Sequence, residues 1–128
     1  MFQLDPFSNI PIYEQLARKI KENIIKEYLK AGDSLPSVRK MARELNVTPN
    51  TVQKAYRFLE QEKVIMTVPG KGAFIADHMP EIHKEEKAME LIEQMKPIIM
   101  ELMYLGLTKE EITEAISKMY EGMKEEER

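Results

Sequence analysis

The sequence predicts a mostly α-helical protein with one small β-hairpin, in two parts that meet near Asp77. Three observations lead there. Apolar residues recur at three- and four-residue steps in five separate stretches, the mark of amphipathic helices. Two short β-prone runs flank the turn Pro69-Gly70-Lys71-Gly72, which signals a hairpin. Charge also changes sign along the chain. Twelve Lys and Arg stand against nine Asp and Glu up to Asp77, and seven against thirteen from His78 onward.

The first helix opens at Ile10-Pro11-Ile12-Tyr13 and carries Ile12, Leu16, Ile20 and Ile24 along one face. It is expected to end near Leu29, with Gly32 as its stop. Before it, Phe2 and Leu4 alternate with polar residues and could form a short edge strand. The second helix, about Ser37 to Leu45, turns Val38, Met41, Ala42 and Leu45 inward, with Ser37 as its cap. Asn46 suits the left-handed turn that ends it. The third helix, about Pro49 to Glu62, starts from the cap Thr48. Pro49 takes the first helical position, where a missing N–H costs nothing. Val52, Ala55, Tyr56 and Leu59 then point inward, so Asn50, Thr51, Gln53 and Lys54 are left outward. Val64–Val68 and Ala73–Ala76 form the hairpin. Two helices joined by a tight turn and followed by a hairpin make a winged helix-turn-helix, expected over residues 1–77.

Residues 78–128 read as a two-helix hairpin. One helix runs from about Glu81 to Leu105 and contains Pro97, which either kinks or breaks it. Gly106 ends it, and Thr108-Lys109-Glu110-Glu111 is a capping box for the last helix. Two such helices cannot bury their apolar faces on each other alone. Seven of the ten methionines lie at or after Met79, and methionine suits surfaces that repack. Leu91, Met95, Ile98, Leu102, Ile112, Ile116 and Met119 are therefore expected to pair with a second copy. Folding back on the first part of the same chain is the competing reading.

Composition narrows the function classes. The 128 residues carry a net charge of −3 and no cysteine, which excludes disulfides, thiolate metal sites and a thiol nucleophile. The N-terminus has no signal-peptide pattern and no apolar run reaches membrane length, so the expected location is cytoplasmic. No nucleophile–base pair stands out and no cofactor is expected. His78 and His83 lie five apart, the wrong step for two imidazoles on one helical face, so they read as surface residues near a linker. Gly70-Lys71-Gly72 lacks the spacing and following helix of a phosphate loop. Glu110, Glu111 and Glu114 read as helix-start charge and a solvated face.

The polar face of the third helix points to double-stranded DNA. Asn50 and Gln53 are the best candidates for base reading, because amides pair well with adenine. Arg39 can fork onto a phosphate or guanine, with pairing to Glu44 or Glu60 as the bland alternative. Thr48 is a cap first and a possible phosphate contact second. Lys54 and Arg57 suit phosphate or solvent. Lys71 would add sequence-independent affinity from the hairpin tip.

Four blocks then show a family pattern. Pro11-Ile12-Tyr13-Glu14-Gln15-Leu16, Gly32-Asp33-Ser34-Leu35-Pro36-Ser37-Val38-Arg39, Val47-Thr48-Pro49-Asn50-Thr51-Val52 and Gly70-Lys71-Gly72-Ala73-Phe74-Ile75 resemble, in order and spacing, the winged-helix domain of GntR-family transcriptional regulators. The short remainder resembles the YtrA-type branch, where two helices replace a large effector domain. The resemblance implies a homodimer that represses from a palindromic operator. It implies DNA contacts at Arg39, at Thr48, Asn50, Thr51 and Gln53, and at the wing tip Gly70 and Lys71. Many relatives carry an arginine where this chain has Pro49. Proline cannot read a base, so base preference here must differ from theirs, although Pro-Asn is usual in the YtrA-type branch.

Two other functions compete. A protein-interaction winged helix would use the Met-rich hairpin as its docking face. A ligand-sensing regulator would need a pocket at the dimer or domain interface, since about 50 helical residues leave little room for one within a chain. The sequence names no effector.

Overall fold

The computed structural model describes residues 2–77 and 81–124. In order, the elements are α1 (Ile12–Ile25), α2 (Val38–Leu45), α3 (Pro49–Gln61), β1 (Ile65–Val68), β2 (Gly72–Ile75), α4 (Glu81–Tyr104) and α5 (Lys109–Lys124). They fall into two compact units, Met1–His78 and Met79–Arg128.

The first unit is built on the inward faces of three helices. Leu16 and Ile20 of α1 meet Val52, Ala55 and Leu59 of α3, and all five are wholly buried. Met41 and Ala42 of α2, Leu35, Tyr56, Ile65 and Ile75 complete this core. Each fully buried Leu or Ile contributes about 1.5–3 kcal/mol relative to exposure. The small Ala42 and Ala55 are both buried in this core, on α2 and α3.

Helix α1 ends earlier than the apolar spacing suggested. Glu27 turns left-handed, with φ 65°. The Tyr28 amide then donates to the Asn23 carbonyl and the Glu27 amide to the Ile24 carbonyl, closing a Schellman cap. Asn23 itself is buried in an otherwise apolar face, and its Nδ2 donates to the Lys19 carbonyl at 2.7 Å. Gly32 is therefore not the helix stop, although its φ of +86° does require glycine's freedom.

The segment after Gly32 has a role that the turn-like sequence conceals. The Gly32 amide donates to Ile75, the Ile75 amide to Asp33 and the Leu35 amide to Ala73. Residues 32–35 thus line the outer edge of β2, and a bridge joins Ser34 to Phe74. The predicted edge strand at Phe2 and Leu4 does not form. These side chains instead pack on the core as irregular chain.

In the second unit, α4 runs unbroken through Pro97, which settles the choice between kink and break against a break. Gly106, at φ +92°, ends it. The capping box forms as expected. The Thr108 amide donates to Glu111 Oε1 at 2.9 Å, and the Glu111 amide to Thr108 Oγ1 at 3.1 Å. Hydrogen bonding from the Thr108 amide first, and from the Thr108 side chain second, holds the Glu111 carboxyl below its ordinary value. The predicted boundary at His78-Met79-Pro80 and the tail after Lys124 lie outside the described residues.

Candidate nucleic-acid interface

The exposed face of α3 is set by its cap. Thr48 Oγ1 accepts from the Thr51 amide at 3.4 Å and lies 3.0 Å from the Thr51 hydroxyl. Thr48 and Thr51 thereby spend part of their polar capacity on each other. Pro49 follows at the first helical position. Asn50 and Gln53 are exposed and have no side-chain partner among the described residues. Their amides can therefore meet an outside donor or acceptor without breaking an internal bond.

Below this face, α2 is locked by the Ser37 cap, whose hydroxyl accepts from the Lys40 amide at 3.2 Å. A second tie crosses from α3. The Tyr56 hydroxyl donates to the Pro36 carbonyl at 2.7 Å. Burial first, and the Glu44 carboxylate second, push the Tyr56 phenol above its ordinary value, so it stays a donor. Pro36 has no N–H to offer, and its carbonyl precedes the α2 cap. The bond therefore couples the entry of α2 to the middle of α3.

The cations divide into two groups. On α1, Arg18 pairs with Glu14 at 3.2 Å and Lys19 with Glu22 at 3.5 Å, while Lys21 pairs with Glu62. Arg39, Lys40 and Arg43 of α2, Arg57 of α3 and Lys71 of the wing are exposed. Among the described residues none of these five has an ion-pair partner. Pairing of Arg39 with Glu44 or Glu60 is thus absent. These five lie on the motif helices and the wing, where an anion would gain most from them. Lys30 and Lys63 of the same unit are exposed without an ion pair among the described residues as well.

Lys54 behaves differently. Its ammonium sits 4.3 Å from the centroid of the Tyr13 ring, and Tyr13 meets Phe58 edge-on at 6.3 Å. Lys54 is held against α1 by a cation–π contact that sequence spacing alone does not reveal.

At the wing, Pro69 and Gly70 form the turn. The Lys71 amide donates to the Val68 carbonyl at 2.9 Å, and Gly70 has φ +77°. Proline followed by a left-handed glycine is the demand of a type II turn. It leaves the Lys71 side chain at the tip, away from the core.

The residues expected to pair with a second copy lie on open helix faces. Leu91 is 50% exposed, Ile98 64%, Ile116 40% and Met119 58%. Leu102 is half-buried, and Ile112 is already buried. Met89, Ile92, Met100 and Met103, not singled out in the sequence, are exposed as well. Leu91, Met95, Ile98 and Leu102 follow alternating four- and three-residue steps, the seam spacing of paired helices. Among the described residues no group of three His, Cys, Asp or Glu could hold a metal ion, and no helix is long and apolar enough to cross a membrane.

The comparisons with known proteins agree with this geometry. A family model described as "Bacterial regulatory proteins, gntR family" matches residues 12–75. The HTH-type transcriptional repressor YtrA of Bacillus subtilis (strain 168) is 40% identical over 124 residues, covering 97% of this chain and 95% of its own. A crystal structure of a transcriptional antiterminator from Listeria monocytogenes EGD-e superposes with a TM-score of 0.91 at 38% identity, covering 100% of this chain and 96% of that one. YtrA from Sulfolobus acidocaldarius, a GntR-family transcription factor, superposes at 0.58 with 34% identity, over 72% of this chain and 97% of that one. With its winged helix-turn-helix matched along its length, this chain belongs to the GntR family of DNA-binding transcriptional regulators, a family without enzymatic activity.

Proposed function

We propose that the chain is a homodimeric repressor that occupies a palindromic operator, with residues 1–77 binding DNA and residues 78–128 joining two copies. The observation that carries this reading is that the cations of α2, Arg57 of α3 and Lys71 of the wing are without ion pairs among the described residues. Those of α1 are neutralised, whereas Arg39, Lys40, Arg43, Arg57 and Lys71 are left free around an exposed polar helix. The repressor function of the Bacillus subtilis relative, which matches over 97% of this chain, supports the same direction.

In this reading, α3 enters the major groove. Asn50 and Gln53 read base edges, and Thr48 and Thr51 approach the backbone near the positive end of the helix dipole. Arg39 forks onto phosphate or guanine. Gly70 lets the wing backbone come close while Lys71 meets the minor groove or its phosphates. Lys54 leaves Tyr13 only if phosphate offers more than the ring does. The open faces of α4 and α5 bring two reading helices together at a spacing fixed by the dimer.

A mobility-shift titration on the chain's own upstream region, repeated at several salt concentrations, tests the whole reading. Tight binding with a steep salt slope is expected, and binding no tighter than to random DNA would sink it. Lys71→Ala should weaken all sequences alike and lower the salt slope by about one. Gln53→Ala should instead change which base is preferred, at a cost of about 1–3 kcal/mol at that position. Equal loss on every sequence for both variants would contradict the division between reading and anchoring.

A further inference from the structure

The wing has two long edges, and they are closed by different means. Ala76 donates to the Val64 carbonyl, and the register pairs Met66 with Phe74 and Val68 with Gly72. In an antiparallel ladder these alternate pairs exchange hydrogen bonds, and the pairs between them point their backbone groups outward. Thr67 and Ala73 form such an outward pair. On the β2 side, the outward groups of Ala73 and Ile75 are taken by residues 32–35. On the β1 side, the outward Thr67 amide donates to Glu60 Oε2 at 3.2 Å.

Glu60 stands in the last turn of α3, where the helix dipole disfavours an acid. It also adds negative charge to the element that faces phosphate. A carboxylate there works against both the helix and DNA unless it does something else. What it does is join the reading helix to the wing strand, one residue before the Val68 carbonyl that closes the wing turn.

We propose that Glu60 is a positioning residue: its carboxylate holds the wing at a fixed place relative to α3, so that Lys71 and the Asn50–Gln53 face engage DNA together. The inference rests on the reading of the wing as a DNA contact. Without the Glu60 bond, the outward edge of β1 is open at Thr67, and the wing tip beyond the pinned Ile65, Ile75 and residues 32–35 is freer to move. Lys71 would then meet phosphate only after the wing is ordered, and that ordering would be charged to binding.

The test compares Glu60→Ala with Glu60→Gln, which keeps a carbonyl acceptor and removes the charge. Hydrogen exchange at the Thr67 amide is read in the free full-length protein, and operator affinity is read by titration. Glu60→Ala should speed Thr67 exchange and weaken operator binding about 3- to 10-fold, the size of one net hydrogen bond. Glu60→Gln should keep most of both. Lys71→Ala should also cost less in the Glu60→Ala background than in the wild type, because a mobile wing has already lost part of that contact.

Equal tightening of operator binding by both variants would show that Glu60 acts only as a repelling charge, and would overturn the proposal. So would a Thr67 amide that exchanges as fast in the wild type as in Glu60→Ala. A wild type that ignores its operator while Thr67 stays protected would instead fail the DNA reading, and the wing's role with it. The exchange measurement separates that failure from failure of the contact itself.

Discussion

Leu16, Ile20, Val52, Ala55 and Leu59 are closed off from solvent in the first unit, whereas in the second Ile112 is buried and Leu91, Ile98 and Met103 are half or more exposed. The two regions solve the same problem differently. In the winged unit, three helices and a hairpin surround one core, and each apolar face finds a partner within the chain. In the helical unit, two long helices leave wide apolar faces exposed. An exposed apolar arc of this width is the kind of surface that a partner covers. The winged unit thus carries a closed core of its own, whereas the helical unit carries the exposed apolar faces on which the proposed homodimer rests.

The largest expected effect comes from breaking that second half. Leu91→Glu with Ile98→Glu would place two carboxylates on the open seam. On the proposed homodimer, self-association should weaken by at least about 3 kcal/mol, since unpaired charge in a desolvated interface costs several kcal/mol. Operator affinity should fall about a hundredfold or more, because the second half-site loses its linkage. The melting of the winged unit should hardly change. Sedimentation equilibrium, with circular dichroism on the same samples, checks all three. A double variant that stays dimeric would show that the seam lies elsewhere on these helices.

The converse substitution strikes the closed core. Leu59→Ala should cost about 2–5 kcal/mol in urea unfolding of the winged unit and leave self-association intact. Tyr56→Phe should cost less, about 1–2 kcal/mol, for leaving the Pro36 carbonyl without its donor. It carries a pH signature as well. The folded state raises the Tyr56 pKa above its ordinary 10.0, so the folded protein retains that proton longer than the unfolded chain does. The associated stability is complete below about pH 10 and is lost as pH climbs toward the folded value. Tyr56→Phe should flatten this alkaline loss, and an unchanged slope would show that other groups cause it.

Sequence made the closed region more legible than the open one, for a physical reason. Helix periodicity, Thr48 before Pro49 and the Pro69-Gly70 turn are local signals, and each lies within a few residues of what it determines. The pairing of residues 32–35 with β2 and the Glu60–Thr67 bond are long-range or side-chain events with no periodic trace. The stacking of Lys54 on Tyr13 was equally invisible, because an outward helix position says nothing about a ring on another helix. The end of α1 was misplaced for a different reason. Glu27 adopts a left-handed conformation that glycine or asparagine usually marks, so no residue type announced it. The open faces of α4 and α5 were legible as excess apolar surface, but surface alone names no partner.

That left-handed device offers the finest comparison between the regions. Both end a helix by the same pair of bonds. In the winged unit, Val64 donates to Leu59 and Lys63 to Glu60; in the helical unit, Leu107 donates to Leu102 and Gly106 to Met103. The residue at the turn differs. Lys63 adopts φ 66° and Gly106 φ 92°. A side chain in this region costs about 1–2 kcal/mol, and glycine returns about 0.5–1 kcal/mol of that by loosening the unfolded chain. Lys63→Gly should therefore stabilise the winged unit by about 0.5 kcal/mol. Gly106→Ala should destabilise the helical unit by a similar amount, about 0.5–1 kcal/mol, since it gains the strain with only part of it offset. Thermal melts of the two variants should move in opposite directions. A loss of stability on Lys63→Gly would mean that the lysine side chain contributes at this turn through a contact larger than the strain it bears.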